Sequence, residues 1–233
     1  MAVARGNAGT ISWGAGVNPT YTLPTNSADD IMVLVVQQVG ASAGVGTPTV
    51  SGWTQIATVV SSADFNRLTA FWKRSTGSES TASITIVSIG KINVKAWTYS
   101  GCITSGSPID GTPGTGTATS TSASAASTTP SNDNGMVVFI TADSDDSDWT
   151  AQTNTDPGTL SEWTDENDTS GQDCSIALAD GLQTTAGATG AATADKSKAS
   201  DIHCEMQFVL QEAAAAAGPS ASLMVKSLLG VGI

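Results

Sequence analysis

The chain has 233 residues, only 13% of them charged, and 21 acidic against 9 basic side chains leave a net charge of −12. A surface of that sign repels phosphate backbones and anionic headgroups, which argues against nucleic-acid and membrane partners. The charge is uneven: residues 1–110 carry a net +1 and residues 111–233 a net −13, so a fold that separates these halves is acidic on one side.

No apolar run approaches the roughly 20 residues that a membrane span needs, and no charged-then-apolar leader opens the chain. The expectation is a protein made in a cytoplasm and not exported by the ordinary secretory route. Three cysteines, Cys102, Cys174 and Cys204, cannot all pair within one chain. Their spacing matches no zinc pattern, so they read as reduced structural thiols.

From the N-terminus, Ala2 to Val17 and Tyr21-Thr22-Leu23 suggest short strands at a sheet edge. After the turn Pro24-Thr25-Asn26-Ser27 comes Asp29-Asp30-Ile31-Met32-Val33-Leu34-Val35-Val36-Gln37. That apolar, β-branched run is too short for a supported helix and reads as a strand at a sheet centre. Gly40 to Gly46 suggests a flexible loop. Gly52 to Val59, Arg67 to Lys73, Ala82 to Val87 and Lys91 to Tyr99 alternate with period two, as half-buried strands do, with a turn at Thr76-Gly77-Ser78-Glu79. In the last of these, Ile92, Val94 and Ala96 share one face and Asn93, Lys95 and Trp97 the other.

Residues 105–130 are almost wholly Ser, Thr, Gly, Ala and Pro, the composition of a linker or of a strand-and-loop crossing. The order of elements then repeats. Pro130-Ser131-Asn132 leads into Met136–Ile140, which answers Met32–Val36, and Asp148-Trp149-Thr150 answers Gly52-Trp53-Thr54. Ser175–Ala179 answers Leu68–Trp72, and Ile202–Leu210 answers Ile92–Tyr99.

The reading is an all-β protein: a two-sheet antiparallel β-sandwich, jelly-roll-like, built from two similar halves with an apolar C-terminal arm. Residues 1–212 form a single sandwich domain with interleaved halves, about 1–104 and 131–212, joined by 105–130. Residues 213–233 form the arm. Ala213 to Ala217 could extend a short helix, stopped by Gly218-Pro219. The chain then closes on Leu223, Met224, Val225, Leu228, Leu229, Val231 and Ile233, a partner-binding surface unless the tail folds back on its own domain.

Chemistry is sparse. There is no phosphate loop, nucleophile elbow or metalloprotease helix, and the expectation is a protein that is not an enzyme, without catalytic or cofactor-binding residues. His203 lies in an alternating strand and reads as a solvent-facing or half-buried residue. Glu162 and Glu166, flanking Trp163, are the pair of carboxylates nearest to a glycosidase arrangement. Asp143, Asp145 and Asp148 alternate in an acidic run that could hold calcium, although it lacks the glycine and distal glutamate of a helix-loop-helix site; a solvated loop is the preferred reading. Six tryptophans are many for this chain; Trp53 and Trp149 hold matched places, and an exposed tryptophan could stack on a sugar, with core packing the commoner role.

Five phrases in this order resemble a β-sandwich domain of virion proteins of tailed bacteriophages. They are Asp30–Val36, Gly52-Trp53-Thr54, Trp72-Lys73-Arg74-Ser75-Thr76-Gly77-Ser78-Glu79, Trp97-Thr98-Tyr99-Ser100-Gly101 and Pro108-Ile109-Asp110. The Ser/Thr-rich segment and the glycine-led strand of the second half fit as well, and the resemblance spans about residues 20–210. It implies a virion structural protein assembled in the host cytoplasm: a capsid decoration or cement protein that binds the major capsid protein or other virion subunits as a homo-oligomer. The alternative is a tail or fibre module binding host-surface glycan.

Overall fold

A computed structural model describes residues 2–15, 18–40, 46–61, 66–86, 90–171, 173–198 and 201–214. Among these residues the regular elements are all β-strands. The first half contributes β1 (Ala4–Ala8), β2 (Ser12–Ala15), β3 (Thr20–Thr22), β4 (Ala28–Val39), β5 (Thr49–Val50), β6 (Thr54–Val60), β7 (Asn66–Thr76), β8 (Thr81–Thr85) and β9 (Lys91–Ser100). The second contributes β10 (Ile109–Ala118), β11 (Ser122–Ala125), β12 (Gly135–Asp143), β13 (Trp149–Thr153), β14 (Ser161–Asp168), β15 (Cys174–Gln183), β16 (Ala192–Lys196) and β17 (His203–Leu210).

The sandwich of two similar halves forms, with four sheets where two were expected. A large sheet in the order β1-β9-β4-β7-β6, with β2 also on β9, lies beside a small one, β3-β8-β5. The second half repeats this as β10-β17-β12-β15-β14 and β11-β16-β13. Leaving out β2, the strands match one for one, so the repeat that was legible as an order of phrases is an order of paired strands. Every sheet draws its strands from one half; the halves meet face to face rather than by sharing strands.

Period two makes this layering possible, because each strand of a central sheet must feed two cores. Ile31, Val33 and Val35 of β4 meet Val138, Ile140, Ile176, Met206 and Phe208 in the core at the seam between the large sheets. Met32, Leu34 and Val36 point the other way, onto Tyr21, Ile84 and Val94 beneath the first small sheet. Val137, Phe139 and Val209 likewise face the second small sheet. The core strands are therefore apolar at consecutive positions because both of their faces are buried.

The Ser/Thr/Gly-rich stretch 105–130 contributes two strands of the second half, β10 and β11. Its small residues are a packing requirement. A Cβ on Gly114 would stand 1.7 Å from the Ala126 carbonyl oxygen, and one on Gly116 1.9 Å from that of Ser124. Ala123, Ala125, Ala192 and Ala194 complete this thin outer core. Ala213 and Ala214 are in no helix; Ala215 to Ala217, the arm beyond them and the loop at 41–45 lie outside the described residues.

Candidate functional site

The acidic run Asp143–Asp148 divides on folding. Asp143 turns inward, where its carboxylate meets the Lys196 ammonium at 2.8 Å with both side chains fully buried. It also accepts from Ser147 Oγ and the Ser144 amide. Asp148 accepts from Asn167 Nδ2 at 2.9 Å. Asp145 gathers with Asp146 and Asp173 instead, their oxygens within 4.8 Å of one another, and the Lys198 ammonium pairs with Asp146. That cation lowers the Asp146 pKa, while burial and hydrogen bonds to Asp146 and Asp201 raise that of Asp145. The candidate calcium trio Asp143, Asp145 and Asp148 thus serves three separate networks.

Glu162 and Glu166 both lie on β14, and each has a protein partner. Gln152 Nε2 donates to Glu162 at 3.1 Å, and Lys95 reaches across the seam to Glu166. His203 is fully buried, a correction to the solvent-facing reading. As the first residue of β17 it pairs with both Ala118 and Asp143, which closes the sheet over it. Its Nδ1 lies 2.8 Å from Glu205 Oε2, and its ring meets that of Trp149 edge-on.

The tryptophans are packed. Trp97 and Trp149 are wholly buried. Trp53 precedes β6 and packs on the outer core of the first half, whereas Trp149 opens β13 in the outer core of the second. Their roles correspond more closely than their places in the strand order. Trp13, Trp72 and Trp163 are half-buried, with Lys91, Arg74 and Arg5 over their respective rings at 5.2–5.8 Å. Cations of the chain itself thus lie over one face of each of these rings.

Residues of the phrases that carry the resemblance act as clamps. Glu79 accepts from Ser75 Oγ, Thr76 N and Thr76 Oγ1, and its backbone oxygen accepts from Asn26 Nδ2. Burial alone would raise its pKa, but those hydrogen bonds prevail and hold it at about 2. Asp110 does the same for the other half, accepting from the amides and side chains of Ser131 and Asn132. Each acid braces the turn that leads into a core strand, β4 or β12.

The seam uses part of the uneven charge. Arg5 forks onto Asp180 at 2.8–2.9 Å, and Asp180 also accepts from Tyr99 Oη at 2.9 Å. Lys91 meets Asp168 at 2.7 Å, and Lys95 meets Glu166. The bond from Lys91, with those from Ser170, lowers the Asp168 pKa to about 2. In every one of these pairs the cation comes from the first half and the anion from the second. Amides tie the same seam. Gln37 Nε2 donates to Asn66 Oδ1 and the Asp143 carbonyl, and Asn66 Nδ2 donates to the Ala142 and Ile202 carbonyls. The Cys174 and Cys204 thiols donate to Asn93 Oδ1 and the Asn66 carbonyl at 3.3 Å. All three cysteines are free and buried, and burial pushes their pKa values to about 11–12, which keeps them protonated and poorly nucleophilic.

Asp165 sits on β14 and accepts from the Trp149 amide at 2.7 Å, while its Oδ1 is buried without a partner. Burial, reinforced by Glu162, Asp148 and Glu166, raises its pKa to about 6. The folded protein therefore takes up this proton at a higher pH than the unfolded chain does. Stability from this group rises as pH falls from about 6 toward 4, and is lost as pH rises through 6. Asp165→Asn is expected to stabilise the protein at pH 7.5 by about 1 kcal/mol, discounted for the partial exposure of the group. It should also flatten the pH 4–7 slope in urea unfolding; a neutral or negative effect at pH 7.5 would mean that the carboxylate is well solvated.

Fold and polar networks together define a class: a double β-sandwich whose halves are joined by complementary charge. Compared with family models, curated proteins and solved structures, the chain matches none.

Proposed function

We propose that the chain is a structural protein of a tailed-bacteriophage particle, a capsid decoration or cement protein that binds the major capsid protein and stabilises the shell. The five-phrase resemblance supports this reading. The observation that carries it is how residues 211–213 are anchored. Ile103 N donates to the Gln211 carbonyl at 3.1 Å, Ala213 N donates to the Gly101 carbonyl at 2.8 Å, and Cys102 bridges Glu212. The segment after Ala214 therefore starts from a fixed point beside the joint between the halves.

That segment ends in Leu223, Met224, Val225, Leu228, Leu229, Val231 and Ile233, which lie outside the described residues. Burying four such side chains on a neighbouring subunit contributes roughly 6–12 kcal/mol of gross transfer free energy. Ordering ten residues opposes it with about 1–2 kcal/mol each. A single arm is thus weak, and symmetric copies acting together make the attachment useful.

The test is co-expression with a major capsid protein that forms shells, taken from the phage that carries this chain, followed by sedimentation of the particles. The full chain is expected to sediment with the shells in high copy number. A truncation after Gly218 is expected to keep its melting temperature and stay in the supernatant. Normal incorporation of the truncated chain would refute the arm, and its failure to fold would place the tail in the protein's own core. No binding by the full chain would refute decoration, and a few copies per particle would favour the tail or fibre reading.

A further inference from the structure

Three side chains form a line running inward from the turn between β10 and β11. Ser120, in that turn, is half-buried, and its Oγ lies 3.5 Å from Nε2 of the fully buried His203. On the far side of the ring, His203 Nδ1 lies 2.8 Å from Oε2 of the buried Glu205. Glu205 is held through its other oxygen, which accepts from the Ser124 amide at 3.1 Å. A carboxylate only accepts, so Nδ1 carries the imidazole proton and the Nε2 lone pair faces the serine. The ring is fixed as well, because β17 is paired on both sides and Trp149 meets it edge-on. A hydroxyl, a base and an acid that orients the base thus stand in the order that acyl transfer to serine requires.

The turn supplies the remaining parts. Ser120 Oγ donates to the Ser122 carbonyl at 2.7 Å, and rotation of the hydroxyl aims the same proton at Nε2. The 3.5 Å gap is of the kind that closes when substrate binds. Thr119, Ser120 and Thr121 lie between the strands, and among the described residues the Ser120 and Thr121 amides donate to no carbonyl. The amides of a nucleophile and of the residue after it are common donors to the oxygen of a tetrahedral intermediate. Thr119, Thr121 and Ser122 are exposed, small and uncharged. Such surroundings suit a short acyl group on a neutral ester.

We propose that Ser120 and His203, with Glu205 as the positioning residue, hydrolyse short-chain carboxylic esters. Ser120 Oγ attacks the ester carbonyl carbon and its proton passes to His203 Nε2. The bond from that carbon to the alkoxy oxygen then breaks, and the leaving oxygen takes the proton from Nε2 to depart as the alcohol. Water, giving its proton to the same nitrogen, attacks the acyl-serine. The carboxylic acid leaves, and the proton returns to Ser120 Oγ. The activity goes beyond the decoration reading and does not depend on it: hydrolysis is measured on the isolated protein, whereas attachment is measured on particles. The test treats the full chain with a fluorophosphonate, followed by peptide mapping, and follows hydrolysis of p-nitrophenyl acetate. The phosphonyl group is expected on Ser120. Ser120→Ala, at a half-exposed turn position, should keep its fold, lose the label and lower kcat/KM by roughly hundredfold or more. Glu205→Gln keeps the side-chain shape and should lower kcat with KM unchanged. No label on Ser120, or hydrolysis by Ser120→Ala at the rate of the unaltered chain, would overturn the proposal. An unchanged kcat in Glu205→Gln would remove Glu205 from it.

Discussion

Replacing Lys196 by methionine is expected to lower the unfolding free energy by about 3–5 kcal/mol, the usual cost of stranding one member of a buried ion pair. Lys196 and Asp143 are both fully buried, with Nζ 2.8 Å from Oδ2. The ammonium also donates to the Asp201 carbonyl at 2.9 Å. Losing the cation leaves Asp143 with only the Ser144 amide and the Ser147 hydroxyl, too little to solvate a carboxylate in the interior. The pair links β16 of the small sheet to β12 of the large one, so the damage falls on the packing between the two layers of the second half. Urea unfolding measures it. The double variant Lys196→Met/Asp143→Leu should recover most of the loss, since removing both charges also removes the stranded one. A loss below about 1 kcal/mol, the scale of an exposed pair, would show that water reaches the site.

Truncating Asn66 to alanine is expected to cost about 2–4 kcal/mol, from three buried hydrogen bonds lost at about 0.5–1.5 kcal/mol each. The side chain is fully buried. Its amide holds two second-half carbonyls, those of Ala142 and Ile202, at 2.9 and 3.0 Å, and its Oδ1 accepts from Gln37 at 3.1 Å. Alanine removes all three bonds, although the Ile202 carbonyl keeps Ser144 N and Oγ and Gln37 Nε2 keeps the Asp143 carbonyl. Because the bonds cross between halves, the variant also tests cooperativity. A single calorimetric transition, shifted downward, is expected if the seam makes one folding unit of the described body. Two separated transitions would show that each half is stable alone. An unchanged transition would show that Asn66 does not brace the seam.

Much of this architecture is legible in the residues. Local physics makes Ile31–Val36 and Met136–Ile140 strands, because branched side chains favour the pleat, and their continuous apolar character requires cover on both faces. Alternation in Lys91–Tyr99 correctly separates Ile92, Val94 and Ala96, which face the first small sheet, from Trp97 at the seam. The order of phrases reveals a repeat, since both halves use the same turn, core strand and closing strand. Charge counting also shows that the halves differ by sign.

Other features needed the tertiary structure, because they depend on what approaches from far along the chain. Residues 105–130 have a linker's composition, and only the 1.7 Å and 1.9 Å clearances at Gly114 and Gly116 show that small size there serves close sheet packing. The number of sheets was likewise hidden, because period two says that a face is buried but not against which partner. Asp143, Asp145 and Asp148 share a loop and a spacing, yet the fold turns one inward to Lys196, gives one to Asn167 and leaves one with Asp146 and Asp173. His203 is sealed by strands on both sides of it, which its own alternating strand does not encode. Strand character, the repeat and the opposition of charge are readable from the residues alone, since each follows from neighbouring residues or from composition. Which charges meet and which small residues are compulsory depend on the fold, since burial and pairing are set by contacts between residues tens to more than a hundred positions apart, as between Arg5 and Asp180.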